Sequence, residues 1–160
     1  MKTPSFSACL ISAGTAFALA GCGGEEPTQA KKGPTERLIY VSAPDCEAGG
    51  KYSLDDCSAA IQKAIQFHDK KSPTYKSQGT CEETEGLDKC ERVGDKNFRP
   101  RLVAYAFDDA TPLTAKPLYL IKEGTPGFRV NEKDMLLEKD DNLIFSKSAK
   151  DLSELHVKKK

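Results

Sequence analysis

Apolar positions recur along this chain with several different spacings, and each spacing predicts a different element. Residues 6–19 run without a charge and end in small residues just before Cys22. Residues 22–35 then hold Gly, Pro, Glu and Lys with almost nothing to bury, a composition that predicts a flexible tether. Leu38, Ile39, Tyr40 and Val41 make a short β-rich run, read as the first strand. Leu54, Cys57, Ile61, Ala64, Ile65 and His68 recur at three- and four-residue steps, which puts them on one face of a helix. Ser53 and Asp56 form a capping box at its start, and Pro73 drives Ser72 out of helical geometry, so the helix ends near Lys71. Thr80 and Glu83 repeat the box and predict one or two further helical turns, stopped by Gly86.

After Asn97 the spacing becomes strand-like. Residues 102–107 are apolar at nearly every position, as in a strand buried on both faces. Residues 118–122, 128–130, 135–138 and 143–146 predict further short strands, with a turn at 124–127 and another through Asp140, Asp141 and Asn142. Ser148 and Asp151 are placed to cap a last short helix carrying Leu152 and Leu155. The expected fold is α+β, a short disulfide-clamped helical half followed by a small, mainly antiparallel β-sheet. Residues 36–157 make the single folded domain and 158–160 a frayed tail; whether residues 38–41 join the sheet is left open.

Charge narrows the classes of function. Lys and Arg number 24, as do Asp and Glu, so there is no basic excess to hold nucleic acid, and none is expected as a partner. No stretch reaches the roughly 20 apolar residues that span a bilayer. The uncharged run after Lys2 has instead the form of an export signal, residues 1–21. Leu19, Ala20, Gly21 and Cys22 resemble a bacterial lipobox, which makes Cys22 the expected lipidation site. Acyl chains on a processed Cys22 would moor the chain to a membrane, since two chains already suffice for stable anchoring. Gly23 at the second mature position favours the outer membrane, facing the periplasm.

Cys46, Cys57, Cys81 and Cys90 are an even set in an exported chain, so two disulfides are expected. Three pairings are open, and the local one, Cys46 with Cys57 and Cys81 with Cys90, is preferred. A helix of some five turns separates Cys57 from Cys81, and Gly49, Gly50 and Gly86 allow the chain to turn back within each local pair. The spacings are not those of a zinc site, and neither a metal nor another cofactor is expected.

Little in the sequence points to catalysis, and no catalytic residue is assigned. His68 lies on the apolar stripe, where a hydrogen-bonded structural histidine is the simpler reading, and no nucleophile motif accompanies it. Asp55 with Asp56 and Asp140 with Asp141 read as a cap and a turn. The expectation is therefore a lipid-anchored envelope protein acting as a non-enzymatic binding or structural module. Its partner would be an envelope protein or cell-wall material. The alternative is a periplasmic enzyme or metal-dependent protein using His68.

Several segments also resemble a known family. Ile39-Tyr40, Asp45-Cys46, residues 54–60, the helix ending near His68, Ser72-Pro73-Thr74-Tyr75, and Cys81 followed nine residues later by Cys90 are similar to the uncharacterised YgiB-like bacterial lipoproteins. Phe98, Pro100, Tyr105 and Pro117-Leu118-Tyr119 extend the likeness, which covers about residues 38–120. It implies an exported lipoprotein with this cysteine framework, and no catalytic residue. The strand-like segments beyond Tyr119 depart from the Gly-, Ser- and Gln-rich tails frequent in such proteins.

Overall fold

The computed structural model describes residues 36–122, 124–131, 133–155 and 157; the segments expected to be an export signal and a tether, with Cys22, and also His156 and residues 158–160, lie outside them. Strand β1 (Arg37–Tyr40) leads into helices α1 (Ala43–Ala48), α2 (Leu54–Lys71) and α3 (Gln78–Glu85), and then a separate hairpin of β2 (Cys90–Val93) and β3 (Asn97–Pro100). Strands β4 (Ala104–Asp108), β5 (Thr114–Leu120), β6 (Gly127–Arg129), β7 (Met135–Leu137) and β8 (Leu143–Phe145) precede helix α4 (Lys147–Leu155). The larger sheet has six strands in the order β7-β6-β5-β4-β1-β8, and every pairing is antiparallel except that of β1 with β8.

The class is α+β with a mixed sheet. The simple succession of a helical half and then a sheet needs correction, because β1 is an interior strand between β4 and β8. The two strands joined through Asp140–Asn142, β7 and β8, do not pair; they form opposite edges of the sheet.

Side-chain contacts show how far this sheet bends. Phe128 on β6 and Phe145 on β8 stand four strand spacings apart in the order, about 19 Å in a flat sheet at ~4.8 Å per strand. Their rings stack with centroids 5.6 Å apart, so the sheet curls strongly toward a barrel. The concave side encloses Ile39, Ala104, Ala106, Leu118, Phe128 and Leu136, with Ala149 of α4 packed among them. The convex side packs Leu38, Tyr40 and Phe107 against Cys46, Cys57, Ala60 and Ile61 of α1 and α2. Strand β4 thus feeds both cores, as its unbroken apolar run predicts: Ala106 lies in one and Phe107 in the other. Each fully buried Phe or Leu contributes about 1.5–3 kcal/mol relative to exposure.

Helix α2 follows its sequence signals closely. Ser53 Oγ accepts the Asp56 amide at 3.1 Å and donates to Asp56 Oδ2 at 2.7 Å, while Ser72 ends the helix in an extended conformation with ψ 138°. Of the proposed stripe, Cys57, Ile61, Ala64 and His68 are buried, whereas Leu54 stays 40% exposed. The other caps shift from expectation. Ser77, not Thr80, caps α3, and Ser146, not Ser148, accepts the Ala149 amide at the start of α4. In both cases an earlier serine offers its oxygen to the amide three positions after it, Ser77 to Thr80 and Ser146 to Ala149. Helix α1 was not expected, although Ser42 with Asp45 is a capping pair and Pro44 suits a first turn.

Both disulfides are the local ones. Cys46–Cys57 fastens α1 to α2 across a sequence separation of 11, and Cys81–Cys90 fastens α3 to β2 across 9. The rise of the 18-residue α2, about 27 Å, is what keeps Cys57 out of reach of Cys81.

Candidate functional site

Two charged side chains and a histidine are buried beneath α2 and α3, and one continuous polar chain joins them. It begins at His68, on the last turn of α2, which is 1% exposed. Glu91 on β2 can only accept, so His68 Nε2 carries the proton and donates to Glu91 Oε1 at 3.3 Å. Nδ1 must then accept. The Ser72 hydroxyl at 2.8 Å and the Tyr119 hydroxyl at 2.9 Å compete for it, and they lie 3.3 Å from each other. One donates to the ring nitrogen and the other to its neighbouring hydroxyl, which satisfies all three groups. Arg99 on β3 anchors the far side, donating to Glu91 Oε1 and to Asp69 Oδ1, each at 2.7 Å.

Tyr119 carries the chain onward. Its ring lies under the Arg129 guanidinium, 5.3 Å from centroid to Cζ, a cation–π contact. Arg129 also donates through Nε to the Leu120 carbonyl at 3.2 Å and through Nη2 to Glu85 Oε2. The side chains of Arg129 and Glu85 are only 11% and 7% exposed. Tyr75 completes the set, its hydroxyl donating to Glu85 Oε1 at 2.6 Å. Backbone bonds in both directions between Tyr75 and Phe98 hold that tyrosine in place.

Burial pushes His68 below its ordinary value, against the pull of Glu91, so the ring is neutral near pH 7. Burial and the Glu85 hydrogen bond push Tyr75 up to about 12, which keeps its hydroxyl a donor. Burial likewise raises Tyr119.

Hydroxyl, imidazole and carboxylate in the order Ser72, His68, Glu91 have the outline of a hydrolytic triad, but the surroundings oppose that chemistry. Ser72 caps the C-terminal, negative end of α2, where a developing oxyanion is disfavoured. Glu91 is already shared with Arg99. Among the described residues no group of three or more His, Cys, Asp or Glu side chains could hold a metal ion. The arrangement ties α2, α3 and the hairpin to the large sheet.

A cleft opens beside this chain, about 470 Å³ in volume, lined by Glu85, Thr84, Ile121, Lys122, Arg129 and Met135 among others. Of the residues singled out by sequence, His68 belongs to the polar chain, as do Ser72, Tyr75 and Tyr119, which the sequence marked only as a helix stop or through the family resemblance; the paired cysteines serve the framework, and Asp56 and Asp140 serve as a cap partner and a turn acceptor for the Leu137 amide. Glu85, Arg99 and Arg129 went unremarked. Arg129 had a legible signal, an arginine inside the apolar run Phe128-Arg129-Val130; Glu85 had none.

No curated protein and no solved structure matches this chain. A model of one family of proteins of unknown function matches residues 34–155, most of the chain. With its disulfide-linked helices and curled sheet, the chain belongs to that family, DUF1190.

Proposed function

We propose that this protein is a lipid-anchored bacterial envelope lipoprotein whose folded domain acts as a non-enzymatic binding module for an envelope protein or cell-wall material. The observation that supports it most is the division of the cysteines. Four of the 6 close two local disulfides, as an oxidising compartment permits, which leaves Cys9 inside the apolar leader and Cys22 directly behind Leu19-Ala20-Gly21. A thiol in that position is the one a lipoprotein pathway would acylate and expose as the new amino terminus. Membership of DUF1190 is compatible with this reading. The surroundings of the polar chain support no hydrolytic role for His68, because Ser72 stands at the negative end of α2 and Glu91 is shared with Arg99.

Detergent phase partitioning of the full-length protein and of Cys22→Ala tests the anchor. The parent should enter the detergent phase as a processed, acylated chain, and the variant should accumulate with its leader uncleaved. Equal partitioning and equal mass loss for both would overturn the reading.

A further inference from the structure

We propose that the cleft between α3 and the β5, β6 and β7 side of the sheet binds the carboxyl terminus of a peptide, with Arg129 holding the carboxylate. The inference rests on the binding-module reading and gives that module its site and the chemistry of its ligand.

Three observations lead there. The first is the unused capacity of Arg129. A guanidinium has five N–H donors. Here Nε is spent on the Leu120 carbonyl and Nη2 reaches Glu85, while among the described residues Nη1 makes no bond. Among the described residues no buried side-chain nitrogen or oxygen lacks a partner, so Nη1 is not sealed in; it meets the cleft that Arg129 lines. The group is also held still, pinned at two nitrogens and stacked on Tyr119, so little conformational entropy remains to be lost on binding.

The second observation is charge. Glu85 offsets one cation, and the described lining residues otherwise contribute Arg129 and Lys122, which leaves one positive charge. Lys122 is held at the wall by donation to the Glu83 carbonyl at 2.6 Å. Among the described lining residues two cations face one carboxylate, an excess that the carboxylate of a ligand would offset.

The third is the extent of the apolar wall. Ile121 and the 50% exposed Met135 give the cleft an apolar wall against which an aliphatic side chain would pack. The hydroxyl of Thr84, which donates to the Thr80 carbonyl at 3.1 Å and neighbours the Tyr75 hydroxyl, adds a polar atom to the wall. A volume of about 470 Å³ lies within the range of small-ligand sites, roughly 300–1,000 Å³.

Calorimetry on the full-length protein in detergent micelles tests this with three probes: N-acetyl-alanyl-leucine, its carboxyl-terminal amide, and hexanoate. The free carboxylate should bind, and the amide should bind about 10- to 100-fold more weakly, the equivalent of one charge-assisted hydrogen-bonding pair. Hexanoate should be weaker than the dipeptide. Arg129→Lys should reproduce the loss seen with the amide. Should that variant unfold, Thr125→Trp, which fills the cleft from its exposed turn, should abolish binding with an unchanged circular-dichroism spectrum. Equal affinity for acid and amide, no binding of the acid, undiminished binding by Thr125→Trp, or hexanoate binding as tightly as the dipeptide would each overturn the proposal. Because Cys22 acylation is read out separately, failure here would leave the anchored module standing without this site.

Discussion

At the scale of single residues, the stability of this fold turns on His68. Its burial is compensated by Glu91 on one side and by Ser72 and Tyr119 on the other. His68→Ala would leave a cavity and strand those partners, which costs about 2–4 kcal/mol. Urea unfolding at pH 7.5 measures it. The histidine also sets a sign for pH dependence. Its folded value is lowered from the ordinary 6.5, so below 6.5 the unfolded chain takes up the proton first. Stability therefore declines as pH falls from about 6.5 toward the lower folded value, and His68→Gln should remove that portion of the decline. A parent protein that gained stability over the same interval would contradict the neutral, buried assignment. The sequence placed His68 correctly on the inner face of α2 from spacing alone, yet its partners could not be read. Glu91 and Tyr119 lie 23 and 51 positions away, and only the pairing of hairpin and sheet brings them in.

At the scale of elements, local signals were legible wherever local energetics decides. Helix α2 has its cap, stripe and stop in consecutive residues, and its bounds follow from them. Helix α3 shows the limit: Thr80 with Glu83 and Ser77 with Thr80 both resemble starts, and the chain uses the earlier one. Ser77→Ala should accordingly cost about 1 kcal/mol and Thr80→Val much less, as thermal unfolding of the two variants would show. Short strands were found but not their partners. A run of three apolar residues such as β8 carries no mark of a parallel neighbour, and its pairing with β1 depends on a contact made across most of the chain. The disulfides belong to this scale as well. Each closes a short loop and should contribute a little under about 3 kcal/mol. Cys81→Ala/Cys90→Ala and Cys46→Ala/Cys57→Ala should each lower the unfolding free energy by about 2–3 kcal/mol under non-reducing conditions, with helix content largely kept.

At the scale of the whole molecule, an α+β domain is closed on both sides of a curled sheet, by α1 and α2 on the convex face and by α4 on the concave one. Such closure was not legible, since sheet curvature arises from packing of Phe128 on Phe145 and from the β1–β8 pairing, not from any one segment. The polar chain from Asp69 to Tyr75 then locks α2, α3 and the hairpin onto that sheet and leaves the Arg129 cleft open beside it. Sulfur chemistry is the central claim: one cysteine for the anchor, four for the frame. Mass spectrometry of the intact protein from bacterial envelopes, followed by non-reducing peptide mapping, tests it directly. The account predicts an amino terminus at Cys22 carrying acyl chains, with Cys46 crosslinked to Cys57 and Cys81 to Cys90. A mature chain that retains its leader with an unmodified Cys22, or that yields four free thiols, would contradict it.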